Sequence, residues 1–203
     1  MLLFLDVISS LPEFCVIDDN KVILKEKIIQ NETDRLSDNI IQSYIEIDKR
    51  LNLTQNLKKI STTIGPGSYT SLRVGSAFIS GLMISRKIPY YPLSIEDILN
   101  FNSKKSSKDK IGVFITSSNN QQFLCYKNED NFMEYNKIEN NKYSIPKHIE
   151  IIFFNKTKIN ENSQLEQIKF SFFEEFYKNY NNLTFKKNII IKPIYISNNQ
   201  LLN

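Results

Sequence analysis

An α/β fold in two lobes is what the sequence predicts, and three features predict it. Three apolar runs separated by turn residues fill the first 29 positions and read as an antiparallel meander. The pattern then changes period, giving an amphipathic helix, a buried strand and a helix rich in small residues, the alternation from which α/β layers are built. A polar, lysine-rich stretch at 102–110 precedes a second half in which strand-like runs return. The expected organisation is an N-terminal lobe, 1–101, a linker, 102–110, and a smaller, divergent C-terminal lobe, 111–203.

The first strand is an apolar run over 2–8 broken only by Asp6; the second covers 14–17 and the third 22–29, with Leu11-Pro12-Glu13 and Asp18-Asp19-Asn20 as turns. Over 33–51, Leu36, Ile40, Tyr44, Ile47 and Leu51 recur every three or four residues and Ile41 and Ile45 widen the stripe, so a helix with a broad apolar face begins near Thr33 or Asp34. A β-branched run at 59–64 reads as a buried strand, and it stops at Gly65-Pro66-Gly67. Pro66 fixes φ while glycines on either side take conformations closed to other residues, so the main chain can turn sharply here and come close to another segment. Thr70 or Ser71 caps the helix that follows, which runs to about Arg86 ahead of Pro89.

Small residues mark that helix. Ser71 and Gly75, and Ala77 and Gly81, are spaced by four among Leu72, Val74, Phe78, Ile79 and Leu82, which predicts flat patches where another element packs closely. A mid-helix glycine costs about 1 kcal/mol relative to alanine, so Gly75 and Gly81 need such a packing reason. Arg73 is the one charge in the block and should be paired, with Asp6, another carboxylate or a partner.

After a short strand at 89–93, Ser94 caps a brief helix with Glu96 and Asp97 in its first turn. The lysines of 102–110 lack aromatic neighbours and read as a solvated connector before they read as an RNA contact. Strands are expected at 111–116, 122–127, 132–135 and 149–154, with a hairpin turn at Ser117-Ser118-Asn119-Asn120. Ser163 and Glu166 suggest a capping box opening a helix to Tyr180, striped by Leu165, Ile168, Phe172 and Phe176.

Composition bounds the chemistry. Cys15 and Cys125 form no CxxC pair and His148 is the single histidine, so packed thiols, a reducing compartment and no histidine-based metal site are expected. No basic segment precedes the opening apolar run, which meets Asp6 too soon for a signal peptide, and no later run approaches ~20 apolar residues, so a soluble cytoplasmic protein is expected. A net charge of +4 permits RNA contact without demanding it. The glycine loop is no Walker A, because no Gly-Lys-Ser/Thr follows, and Thr70 stands where a dinucleotide fingerprint has its third glycine. No catalytic constellation and no cofactor site emerge.

The block Gly65, Pro66, Gly67, Ser68, Tyr69, Thr70, Leu72, Arg73, Gly75, with Gly81 beyond it, resembles the TsaB-like family of bacterial proteins, which serve the machinery making threonylcarbamoyladenosine in tRNA. The resemblance implies a ribonuclease-H-like lobe of the actin, sugar kinase and heat-shock ATPase superfamily, followed by a reduced lobe of similar type. It also implies a non-catalytic scaffold that binds and activates a TsaD-like catalytic subunit. A TsaE-like ATPase joins through the complex, contact with tRNA is left open as direct or indirect, and a homodimer through the same helices is also allowed. The docking surface would then come from Leu36, Ile40, Ile41 and Tyr44 on one helix and Ser71, Val74, Gly75, Phe78, Gly81 and Leu82 on the other. The sequence departs from the family's pattern at Glu32-Thr33-Asp34, at Thr116-Ser117-Ser118 and at Ser197. The alternative is an ATP-binding phosphotransferase or ATPase of the same superfamily using Asp6 and the Gly65 to Ser68 loop. Against it, Val7 and Ile8 follow Asp6 where hydroxyl residues would meet phosphate, and Asp6 reads first as a structural carboxylate bonding the amides of the next turn.

Overall fold

The computed structural model describes residues 1–31, 33–103, 110–139, 143–159 and 165–196. Two five-stranded sheets carry the architecture. The first is built from β1 (Leu2–Asp6), β2 (Glu13–Asp18), β3 (Lys21–Lys27), β4 (Lys59–Thr63) and β5 (Tyr90–Leu93) in the order β3-β2-β1-β4-β5. The second comprises β6 (Ile111–Thr116), β7 (Gln122–Lys127), β8 (Met133–Ile138), β9 (Ile151–Phe154) and β10 (Glu166–Lys169) in the order β10-β9-β6-β7-β8.

The two sheets are the same object. In each, an antiparallel meander of three strands is extended by two parallel ones on the side of the first strand. The helices differ. In the first lobe α1 (Leu36–Leu51) and the short α2 (Leu53–Asn56) join β3 to β4, α3 (Tyr69–Arg86) joins β4 to β5, and α4 (Ile95–Asn102) follows. In the second lobe the described residues of the equivalent connections carry no helix, and α5 (Phe172–Asn179) follows β10, continued by a 3-10 turn at Tyr180–Asn182.

Period-two alternation sends Leu3 and Leu5 of β1 to one face of the first sheet and Phe4 to the other, and all three are fully buried. On the first face Phe14, opposite Leu5, packs against Tyr44 of α1 and Phe78 of α3 with ring centroids 6.2 and 5.7 Å away. On the second face Phe4 stacks on Phe176 of α5 at 4.7 Å and meets Phe173 at 5.5 Å. Burying one such ring contributes roughly 1.5–3 kcal/mol, so the Phe4 contacts are a main tie between the halves. The lobes also join through Asn102, whose amide donates to the buried Glu175 carboxylate at 3.1 Å, and through a Lys127 to Glu96 ion pair at 2.8 Å. The outer face of the second sheet, which has no flanking helix among the described residues, keeps a satellite core around Phe114, Leu124, Ile152 and Phe154.

Four expectations are corrected. The helix expected from Ser163 to Tyr180 is a strand followed by a shorter helix: Glu166–Lys169 pairs in parallel with Ile151–Phe154, and the helix spans Phe172–Asn179. An edge offering unpaired backbone groups along β9 outweighs a side-chain spacing that happens to suit a helix; Ser163 lies outside the described residues. α1 starts at Leu36, because the Asp34 carboxylate accepts from the amides of Gln30 and Asn31 and holds a turn ahead of the helix. α3 is capped by Ser68, whose hydroxyl accepts from the Ser71 amide at 3.4 Å, and not by Thr70 or Ser71. The third strand ends at Lys27 and not at residue 29. Most of the expected linker, 104–109, lies outside the described residues.

Candidate functional site

The loop after β4 does turn sharply. Gly65 has φ of +112°, a conformation that L side chains rarely adopt, and a Cβ there would lie 2.6 Å from the carbonyl oxygen of Ile194. The close approach expected of this loop is therefore to the chain's own C-terminal segment, whose Ile194 amide donates to Ile64 at 2.7 Å. Gly67 sits over Ile8, Ser68 caps α3, and Leu72 is buried beneath the first turn. Ser71 reaches across to the second lobe, its hydroxyl 2.9 Å from that of Ser118 in the β6–β7 turn.

A cleft of about 410 Å³ opens beside this contact, lined by residues that include Pro12, Asp34, Arg35, Ser37, Ser68, Thr70 and Ser118. The starts of α1 and α3 both face it. Asp6 is absent from its lining and is buried. The Asp6 carboxylate accepts from the amides of Ile8 and Ser9 at 2.9 and 3.2 Å and from the hydroxyls of Ser9 and Thr63 at 2.5 and 3.2 Å. Burial lifts its carboxyl above the usual range against the pull of these bonds. It is the structural carboxylate that the sequence suggested.

Arg73 is exposed and has no carboxylate within ion-pair distance among the described residues. Its guanidinium instead lies over the Tyr69 ring at 5.3 Å, and Tyr69 packs on Tyr195 at 4.9 Å. Burial pushes the thiols of Cys15 and Cys125 well above their ordinary range, so neither is poised as a nucleophile. Among the described residues no three His, Cys, Asp or Glu side chains stand together as metal ligands, and no helix is long and apolar enough to cross a membrane.

The residues expected to dock a partner divide between two environments. Leu36, Ile40, Tyr44, Ser71 and Gly75 are covered by the chain's own core, with Gly75 pressed on Val7. Val74, Phe78 and Leu82 are half-buried, while Ile41 and Gly81 are exposed, and a Cβ on Gly81 would meet nothing within 4 Å. Sequence reasoning missed Val7, Ile194 and Ser118, which share no local pattern with the loop they contact and are brought to it only by tertiary folding.

Two lobes of one strand order, with a glycine loop heading the helix between the fourth and fifth strands, define a ribonuclease-H-like protein in two copies, the second reduced. The family model of TsaD, tRNA N6-adenosine threonylcarbamoyltransferase, matches residues 26–190, and the chain belongs to that family. Among solved structures it shares its fold with YeaZ from Pseudomonas aeruginosa, at a TM-score of 0.63 and 11% identity over 96% of this chain and 99% of that one. A structure described as an uncharacterized protein with similarity to peptidase YEAZ, from the same organism, matches at a TM-score of 0.55 and 14% identity, covering 97% and 99%. No curated protein sequence matches the chain. Family and fold together make this a TsaB-like chain with a role in the biosynthesis of threonylcarbamoyladenosine in tRNA.

Proposed function

We propose that the chain is a non-catalytic subunit of the tRNA-modifying complex, docking on a TsaD-like catalytic subunit through the outer faces of α1 and α3. The observation that carries this is an exposed apolar surface on two neighbouring helices: Ile41 is 62%, Ile45 40% and Ile84 82% exposed. Ala77, Gly81 and Ile84 fall on one exposed stripe of α3, so a partner helix can approach its backbone closely, and Ile41 and Ile45 are exposed on the neighbouring α1. Isolated apolar residues at a surface are ordinary, but three exposed isoleucines and a bare glycine on two neighbouring helices suit a four-helix contact.

The division into lobes 1–101 and 111–203 joined at 102–110 is part of this proposal, as are arrival of a TsaE-like ATPase through the complex and self-association through the same face. The satisfied state of Asp6 supports a scaffold over an ATPase, because all four of its acceptor bonds go to the chain itself. Co-expression with the organism's TsaD-like protein tests the reading. Copurification is expected, with loss of the pair in Gly81→Leu; an unchanged pair, or ATP turnover by the pure chain, overturns it.

A further inference from the structure

Exposed cations from three separate segments converge where β4 and β5 begin. Lys58 and Lys59 lead into β4, Arg86 and Lys87 close α3, and Lys186 and Lys187 arrive with the chain's return after α5. Several bonds hold these segments together. Lys186 and Tyr90 exchange backbone hydrogen bonds at 2.9 and 3.0 Å, the Ile60 amide donates to Pro89 at 3.0 Å, and the Arg86 guanidinium donates to the Gln55 carbonyl at 3.2 Å. The returning segment thus lies beside β5 as β5 lies beside β4. At about 4.8 Å per strand the lysines of the two edges stand about 10 Å apart, within one screening length at about 0.1 M salt.

None of the six has a carboxylate within ion-pair distance among the described residues. Two acids of the same lobe are engaged elsewhere: Asp18 with the N-terminal ammonium at 3.4 Å, and Asp48 with the Thr54 amide at 2.5 Å. An aromatic pair completes the patch, with the Lys59 ammonium over the Phe185 ring at 5.0 Å and Phe185 packed on Tyr91 at 5.7 Å.

We propose that this edge binds the phosphodiester backbone of RNA, and, resting on the family's role in tRNA modification, that the RNA is tRNA. Unpaired cations on flexible stems act on phosphates as point charges and release counterions on contact, whereas the cores of protein interfaces are depleted in lysine. The surface lies at the C-terminal end of α3, next to Ile84 of the proposed docking stripe, so bound RNA would border a partner seated there.

The test is the affinity of the full-length chain for an unmodified tRNA transcript, read by fluorescence anisotropy across a salt series. Replacing Lys58, Lys59, Lys186 and Lys187 together by Ser should weaken binding at least tenfold at about 0.1 M salt and flatten the log–log salt slope by roughly 3, at about 0.7–0.9 per lost phosphate contact. Lys187→Glu alone, at an exposed position, should weaken binding severalfold and serves if the fourfold variant does not fold. Wild-type affinity in the folded variant, or tRNA binding intact while the TsaD-like partner is lost, overturns the proposal, the second result by making the patch a protein interface. If tRNA binding depends on the lysines yet cells lacking the chain keep fully modified tRNA, the family-based role fails and the patch stands.

Discussion

A Cβ built on Gly75 would lie 2.6 Å from Cγ1 of Val7, so α3 crosses the end of β1 at a separation that only glycine allows. Gly75→Ala should therefore destabilise the chain. Overpacking costs about 1–3 kcal/mol, more than the ~1 kcal/mol that alanine returns in helix propensity. Val7→Ala removes the clashing methyl, so the double variant should be more stable than the sum of the single changes predicts, by about 1 kcal/mol or more in urea denaturation. Additive changes would mean that the contact does not limit the helix position.

Gly81 stands on the same helix two turns on and meets nothing, which separates docking from folding. Gly81→Leu should leave the fold intact and raise stability by roughly 0.5–1 kcal/mol, since leucine is a far better helix former. If α3 is a docking helix, the same change fills the stripe beside Ile84 and abolishes copurification. A melting temperature that rises together with unchanged pairing would locate the partner elsewhere.

Asp6 is the residue whose chemistry is most open to misreading. Asp6→Ala leaves the buried amide of Ile8 and its neighbour at Ser9 without acceptors and should cost about 2–4 kcal/mol, whereas Asp6→Asn keeps an oxygen for both and should stay within about 1 kcal/mol of the parent. Its carboxyl is raised above the ordinary value of 3.8, chiefly by burial. The folded chain thus holds this proton to higher pH than the unfolded chain does. The parent should gain stability relative to Asp6→Asn as pH falls toward the ordinary carboxylate range, and lose that gain as pH rises through the folded value. Urea denaturation of both proteins across this range checks the sign; a parent that weakens relative to Asp6→Asn on acidification would refute the burial effect.

Much of the first lobe was legible because its signals are local. β-branched runs between turn residues gave β1 to β5, and β6 and β7 fell where alternation and the Ser117 hairpin put them. The Ser94 cap and its Asp97 partner were readable from a four-residue window, and the reciprocal bonds are present. What failed depended on distant partners. Glu166–Lys169 is a strand because β9 offers an edge, information absent from the segment itself. Gly75 and Gly81 read alike along the chain, yet one is buried on Val7 and the other bare, because a helix shows its spacing and not which face the sheet takes. The role of Gly65 was legible as backbone freedom, but not that the approaching chain would be residue 194.

That last contact carries its own prediction. Gly65 combines φ of +112° with a carbonyl oxygen of Ile194 where a Cβ would go, so Gly65→Ala meets both backbone strain and main chain that has no flexible end to swing aside. The simplest relief is to lift the C-terminal segment, which would break the Ile194 to Ile64 hydrogen bond and take Tyr195 off Tyr69. With few buried contacts of its own, that segment should open at modest cost. In Gly65→Ala, limited proteolysis should cut within 183–196 several times faster than in the parent. Amide exchange should rise at Ile194, while the β6 and β7 amides keep their protection. Exchange that rises equally across both sheets would instead mark Gly65 as a determinant of global stability, with the returning segment no more than a bystander.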